Sequence, residues 1–135
     1  MNNTSNPKII KKTVGRRKRA VASVYLTAGD GKITVNAKPV ENYFPGEFAK
    51  RIYSLPFIVT DLFKYDASVK VHGGGKEGQL DALVLGIARS LSEIKDSYKS
   101  LLRKAGLMTR DSRERQRRMI GTGGKSRRQK SSPKR

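Results

Sequence analysis

Apolar and polar residues alternate over residues 20–27, with Ala20, Ala22, Val24 and Leu26 on one face and Val21, Ser23, Tyr25 and Thr27 on the other. A period of two predicts a β-strand. Ala28-Gly29-Asp30-Gly31 is a turn signal, after which Ile33 and Val35 alternate with Lys32, Thr34 and Asn36. The two runs read as a β-hairpin, and a third short strand is expected over residues 40–43. Pro45-Gly46 breaks the chain ahead of a helix over residues 47–55, with Phe48, Ile52 and Leu55 facing inward. Pro56 is expected to interrupt or end that helix. Alternation returns over residues 66–72, where Ala67, Val69 and Val71 mark the apolar side and Gly73-Gly74-Gly75 ends the strand.

From Glu77 the period becomes helical. Leu80, Leu83, Val84, Ile87, Ala88 and Leu91 fall at i, i+3, i+4 and i+7 spacings, which predicts an amphipathic helix. A further helix is expected over about residues 97–105, with Tyr98, Leu101, Leu102 and Ala105 inward, Asp96 as N-cap and Gly106 at the C-terminal glycine position. The pattern stops after Met108. Residues 109–135 contain no Val, Leu, Phe or Tyr, and their apolar side chains are Met119 and Ile120. Such a segment buries too little surface to offset its ordering entropy and is expected to be disordered when free. Fully extended, it would reach roughly 90 Å. The expected organisation is a flexible N-terminal segment (residues 1–11), a globular α+β domain (12–108) and an extended basic tail (109–135), without internal repeats.

Charge changes this picture more than composition does. The formal net charge is +19, from 30 Lys and Arg against 11 Asp and Glu, which favours a polyanionic partner. Residues 1–20 carry seven basic and no acidic side chains, residues 21–98 nine of each, and residues 99–135 fourteen basic and two acidic. A neutral body is thus flanked by two cationic arms, whereas a merely soluble surface would intersperse its charges. The absence of cysteine excludes disulfides, thiolate metal sites and cysteine nucleophiles. No signal peptide is evident, and the longest apolar run, residues 82–88, is too short to span a bilayer, so a soluble cytoplasmic protein is expected.

Three motifs carry candidate chemistry. Arg16-Arg17-Lys18-Arg19, after Gly15 and ahead of the first strand, places four consecutive cations where several phosphates can be met. The competing reading is a solvated charge run guarding a strand end. Gly73-Gly74-Gly75-Lys76-Glu77-Gly78-Gln79 joins a strand to a helix, where glycines let phosphate approach and the helix N-terminus offers free N–H donors. A tight structural turn explains this loop equally well. Its G-x-G-x-x-G spacing does not make a dinucleotide site, because no second apolar strand leads to an acidic residue at the required distance. Gly121-Thr122-Gly123-Gly124-Lys125-Ser126 lacks the first glycine of a P-loop, where Met119 stands, and has no strand before it. His72, the lone histidine, shares a strand face with Ser68 and Lys70 and reads as half-exposed and structural. No paired acids, metal-ligand spacing or nucleophile–base arrangement is present. Neither an enzyme, a metal or cofactor, nor a small-molecule substrate is expected. The third motif is the tail, which sets 11 basic residues against Asp111 and Glu114. Its arginines suit RNA because guanidinium pairs phosphate bidentately, and the lack of aromatics points to phosphate and shape recognition.

The order of the motifs resembles the family of the ninth protein of the small ribosomal subunit, in its bacterial form. The matching blocks are Gly15-Arg16-Arg17-Lys18-Arg19-Ala20-Val21-Ala22, Ile33-Thr34-Val35-Asn36, Tyr43-Phe44-Pro45, Gly73-Gly74-Gly75, Gly78-Gln79, Gly86-Ile87-Ala88-Arg89 and Thr109-Arg110-Asp111-Ser112-Arg113. They are collinear over about residues 12–115, with a weaker match through the tail. The resemblance implies helices packed on one face of a four-stranded sheet, with a left-handed β-α-β crossover. It also implies a place in the head of the small subunit, bound to the 3′ major domain of the ribosomal RNA beside neighbouring head proteins. The tail of that family reaches the peptidyl site and contacts the tRNA anticodon stem-loop. Here Lys134 and Arg135 match its terminal pair, although Lys130-Ser131-Ser132-Pro133 replaces the usual approach to it and lacks an aromatic.

The candidate ribosomal-RNA contacts are therefore Arg16, Arg17, Lys18, Arg19, Gly73, Gly74, Gly75, Lys76, Gln79, Arg110, Arg113, Arg115, Arg117, Arg118, Lys125, Arg127, Arg128 and Lys130. Lys134 and Arg135 are the candidates for tRNA. From other classes, a nucleoid or messenger-binding protein with cationic arms is the alternative. An anionic-membrane binder is weaker, since no basic amphipathic helix with an aromatic face appears.

Overall fold

The computed structural model describes residues 9–121 and residue 124. In chain order the elements are β1 (Ile9–Arg17), β2 (Ala20–Ala28), β3 (Ile33–Val35), β4 (Lys38–Pro39), α1 (Val40–Tyr43), α2 (Glu47–Thr60), β5 (Tyr65–His72), α3 (Lys76–Ser92) and α4 (Asp96–Lys104). The fold is α+β, with one mixed sheet in the order β1-β2-β5-β3-β4. The resemblance implied four strands, and among the described residues the sheet has five. The additional one is β4, a two-residue edge strand paired antiparallel with β3.

Residues 20–35 do not form a hairpin. β5 lies between β2 and β3, antiparallel to the first and parallel to the second. The reason is a long-range one. Asp66, on β5, accepts the backbone N–H groups of Asp30, Gly31 and Lys32 on one carboxylate oxygen at 2.9, 2.9 and 2.8 Å. The turn is thereby wrapped around β5 rather than folded back on β2. The actual hairpin is β1 with β2, closed by a turn at Lys18, whose φ is 52°. β1 lacks a clean alternation, because its inward face holds Lys11, Thr13, Gly15 and Arg17, of which only Thr13 and Gly15, in register with Val24 and Ala22, are buried.

α3 packs across β1, β2 and β5, with α2 and α4 beside it. Residues 82–88 are buried all round, which is why the longest apolar run sits there. Leu83, Ile87 and Leu91 form the core with Val24, Leu26, Val35 and Val69, all at most 1% exposed. Gly15 and Gly86 let the backbones of β1 and α3 touch, and Thr13 Oγ1 donates to the Gly86 carbonyl at 2.8 Å. Arg89 adds a second tie, donating to the Val14 carbonyl at 2.7 Å.

Three local expectations are corrected. Residues 40–43 form a single helical turn, since Pro39 enters with φ −54° and buried Val40 and Phe44 stand four apart. α2 runs through Pro56 to Thr60, and its inward face is Ala49, Tyr53, Pro56, Phe57 and Thr60. Phe48 is 77% and Leu55 41% exposed, because two adjacent apolar stripes compete and Phe57, beyond the proline, decides between them. α4 starts at Asp96 with Lys95 as its N-cap residue, so Asp96 serves the first turn as a charge rather than a cap. Of its four expected inward residues only Leu102 is fully buried, while Leu107 and Met108 take the remaining contacts with the core. Gly106 stands where expected, with φ 75°.

Candidate nucleic-acid interface

Two of the sequence motifs and the start of the tail meet at one end of the domain. The glycine loop lies against the β1–β2 turn, so that a Cβ on Gly73 would stand 2.6 Å from the Arg19 carbonyl oxygen. Gly73 and Gly74 have φ of 75° and 63°, which L side chains rarely adopt, and a Cβ on Gly74 would meet the Ala20 nitrogen at 3.0 Å. Gly75 by contrast faces open space as the N-cap of α3, where it offers the first N–H groups no side-chain hydrogen bond.

Lys76 and Gln79 brace this loop. The Lys76 ammonium lies 3.5 Å from the Tyr43 ring centroid and 5.8 Å from that of Phe44. The Tyr43 hydroxyl donates to Gln79 Oε1 at 2.9 Å, and Gln79 Nε2 donates to the Gly73 carbonyl at 3.0 Å. Tyr43 and Phe44 are thus part of the site, although the strand expected there concealed their role.

The four-cation run is divided by the fold. Arg16 and Lys18 are exposed and join no ion pair among the described residues. Arg17 points into the helix side, with its side chain 14% exposed. It pairs with Asp81 at 3.5 Å and Asp111 at 3.3 Å, and donates to the Arg113 carbonyl at 2.6 Å. Arg19 is exposed and reaches Glu114 at 3.2 Å. Arg113 is tied to Asp111, to which it donates from Nη2 at 2.7 Å. Asp111 and Glu114, the two acids of the tail, therefore act as a clasp that starts the tail beside the β1–β2 turn. Two acids in an otherwise basic segment were the available signal for it.

The Arg113 guanidinium, then its backbone N–H, and the charges of Arg113 and Arg17 hold the Asp111 carboxyl well below the usual carboxylate range. A depressed carboxylate contributes fully above its unfolded pKa and loses that contribution as pH falls through the folded one. The clasp should therefore survive at pH 4 and open only in stronger acid. Amide exchange at Arg113, whose N–H donates to Asp111 Oδ1 at 3.0 Å, reads this directly. Asp111→Ala should abolish that protection at neutral pH without lowering the thermal midpoint by more than about 3 °C. Full retention of protection in the variant would exclude the clasp.

Arg110, Arg115 and Arg117 are exposed and Arg118 is half-buried, all outside any ion pair among the described residues. Lys125, Arg127, Arg128, Lys130, Lys134 and Arg135 lie outside the described residues. No described helix is long and apolar enough to cross a membrane, and His72 is exposed on β5.

The family model described as ribosomal protein S9/S16 matches residues 15–135. Among curated relatives, the small ribosomal subunit protein uS9 of Paenarthrobacter aurescens (strain TC1) is 46% identical over 110 residues, covering 80% of this chain and 66% of that protein. The protein of the same name from Lawsonia intracellularis (strain PHE/MN1-00) is 44% identical over 108 residues, covering 79% and 83% respectively. With nearly the whole chain matched in register, it belongs to the ribosomal protein S9/S16 family, a structural and non-enzymatic one.

Proposed function

We propose that this chain is a structural constituent of the small ribosomal subunit in the cytoplasm, holding ribosomal RNA of the 3′ major domain in the subunit head. The observation that carries this reading is the convergence of three cationic or phosphate-accepting elements at one end of a neutral body. They are the β1–β2 turn with Arg16 and Lys18, the glycine loop at the head of α3, and the clasped start of the tail. Phosphates held there would release counterions, and the tail would extend the contact along the RNA. Residues 12–108 act as the RNA-bound body and residues 109–135 as the tail. Lys134 and Arg135 contact the phosphates of the anticodon stem-loop of peptidyl-site tRNA, and neighbouring head proteins abut the body. We take the β3–α2–β5 connection, which joins parallel neighbours, to be left-handed, as the resemblance implies.

Sedimentation tests the reading. Tagged protein should travel with small subunits at moderate salt; recovery in the soluble pool or with DNA would exclude it. Deleting residues 133–135 should leave assembly intact while weakening peptidyl-site tRNA binding roughly three- to tenfold, more so at low salt. Unchanged tRNA affinity would remove the tip from the site.

A further inference from the structure

We infer that the helix-free face of the sheet is a second RNA-docking surface, centred on Lys12, Tyr25 and Lys70; the inference rests on the ribosomal reading above. α2, α3 and α4 form one layer on the side of Ala20, Ala22, Val24, Ala67, Val69 and Val71. On the opposite side, paired residues line up in rungs. Lys12 stands beside Tyr25 and Tyr25 beside Ser68; Val14, Ser23 and Lys70 form the next rung, and Arg16, Val21 and His72 the third. Thr34 on β3 continues the first rung, opposite Ser68.

The chemistry of these rungs is one-sided. Lys12, Arg16 and Lys70 are exposed and belong to no ion pair among the described residues, although Lys12 leans over the Tyr25 ring at 5.4 Å. None of the three rungs carries a carboxylate, while residues 21–98 as a whole hold as many acids as bases. Asp66, the nearest acid along β5, spends one oxygen on three backbone N–H groups. An antiparallel sheet can present one face to water, but a merely solvated face mixes both signs. Segregated cations on a flat surface complement a polyanion.

Spacing and polarity indicate what kind of polyanion. Lys12 and Arg16 lie four residues apart on one strand, about 13 Å, and Lys70 lies two strands away, about 10 Å. A short hydroxyl side chain, Ser23, stands between them, and Ser68 and Thr34 extend the hydroxyl surface along β5 and onto β3. With its two rings, Tyr25 and His72, on separate strands and two rungs apart, the face lacks a platform that could stack a run of bases. It suits the phosphates and 2′-hydroxyls of folded RNA, read by shape. The third rung ends at His72, immediately before Gly73, so this surface is continuous with the glycine-loop end of the domain.

The test uses the full chain carrying Lys12→Glu together with Lys70→Glu, titrated against naked small-subunit ribosomal RNA. Affinity at about 0.1 M salt should fall ten- to hundredfold, and the slope of log K on log salt should shrink by about 1.5. Unchanged affinity and slope, with a tail-truncated chain still losing both, would overturn the docking face and leave the ribosomal reading intact. If the unaltered chain fails to bind this RNA, both fall together. An independent measurement needs no variant: ultraviolet irradiation of assembled small subunits should join Tyr25 to RNA. A Tyr25 crosslink to protein instead would assign the face to a protein neighbour and overturn the proposal.

Discussion

Gly15→Ala should lower the thermal midpoint by roughly 10–20 °C, the loss expected for about 3 kcal/mol in a domain of this size. A Cβ on Gly15 would stand 1.9 Å from the Ala82 carbonyl oxygen and 2.4 Å from the Gly86 nitrogen. Both are backbone atoms of α3, and neither can swing aside as a flexible side-chain end would. Relief requires β1 to lift from the helix. That movement strains the bonds from Thr13 to the Gly86 carbonyl and from Arg89 to the Val14 carbonyl. Gly75→Ala is the control, because nothing lies within 4 Å of its Cβ position and its φ is −101°. Its midpoint should stay within about 2 °C of the parent. Equal melting of the two variants would mean that β1 and α3 are not in backbone contact. Because Gly15 itself presents no side chain and Arg16 and Lys18 follow it within three residues, a loss of RNA binding in Gly15→Ala would report unfolding and not a missing contact.

Strands with one buried and one more exposed face were legible from period alone, and so were the inward residues of α3, although its residues 82–88 are buried on every side. β2, β5 and α3 all appear with the expected inward residues: Ala20, Ala22, Val24 and Leu26; Ala67, Val69 and Val71; Leu80, Leu83, Val84, Ile87, Ala88 and Leu91. What failed was decided by partners far along the chain. β1 was not expected as a strand, the first strand being read from residue 20, since its buried positions Thr13 and Gly15 are small to admit the α3 backbone, and smallness carries no periodic signal. The false hairpin over residues 20–35 followed from good turn chemistry whose purchaser, Asp66, lies more than thirty residues away. The blocks that carried the family resemblance owe much of their identity to such contacts. Gly15 meets Gly86, and Asn36 exchanges two hydrogen bonds with the Val71 backbone at 3.0 and 2.9 Å. Tyr43 reaches Gln79, and Asp111 is paired with Arg113 and Arg17. At the candidate interface, charge located the right segments but could not divide them. Only the structure separates Arg16 and Lys18, which face solvent, from Arg17, which holds the tail to the body.

Removing residues 115–135 should leave the fold unchanged and remove most of the RNA affinity. The cut falls just beyond Glu114, so both acids of the clasp remain, while nine basic residues and no acidic ones are lost. Residues 115–121 are exposed apart from half-buried Arg118, so the thermal midpoint should move by no more than about 2 °C. Binding to small-subunit ribosomal RNA is another matter. If each lost cation meets a phosphate, the slope of log K on log salt should shrink by about 6, and affinity near 0.1 M salt should fall about a thousandfold. Titrations between 50 and 200 mM salt measure both quantities. A change in slope below about 2 would place the binding in the body and contradict its delegation to the tail. Asp111→Ala in the full-length chain separates charge from direction. It removes one negative charge, so an undirected tail would bind slightly more tightly. A tail that must leave the body beside the glycine loop should bind more weakly in spite of the added positive charge, since the clasp has already met part of the ordering cost.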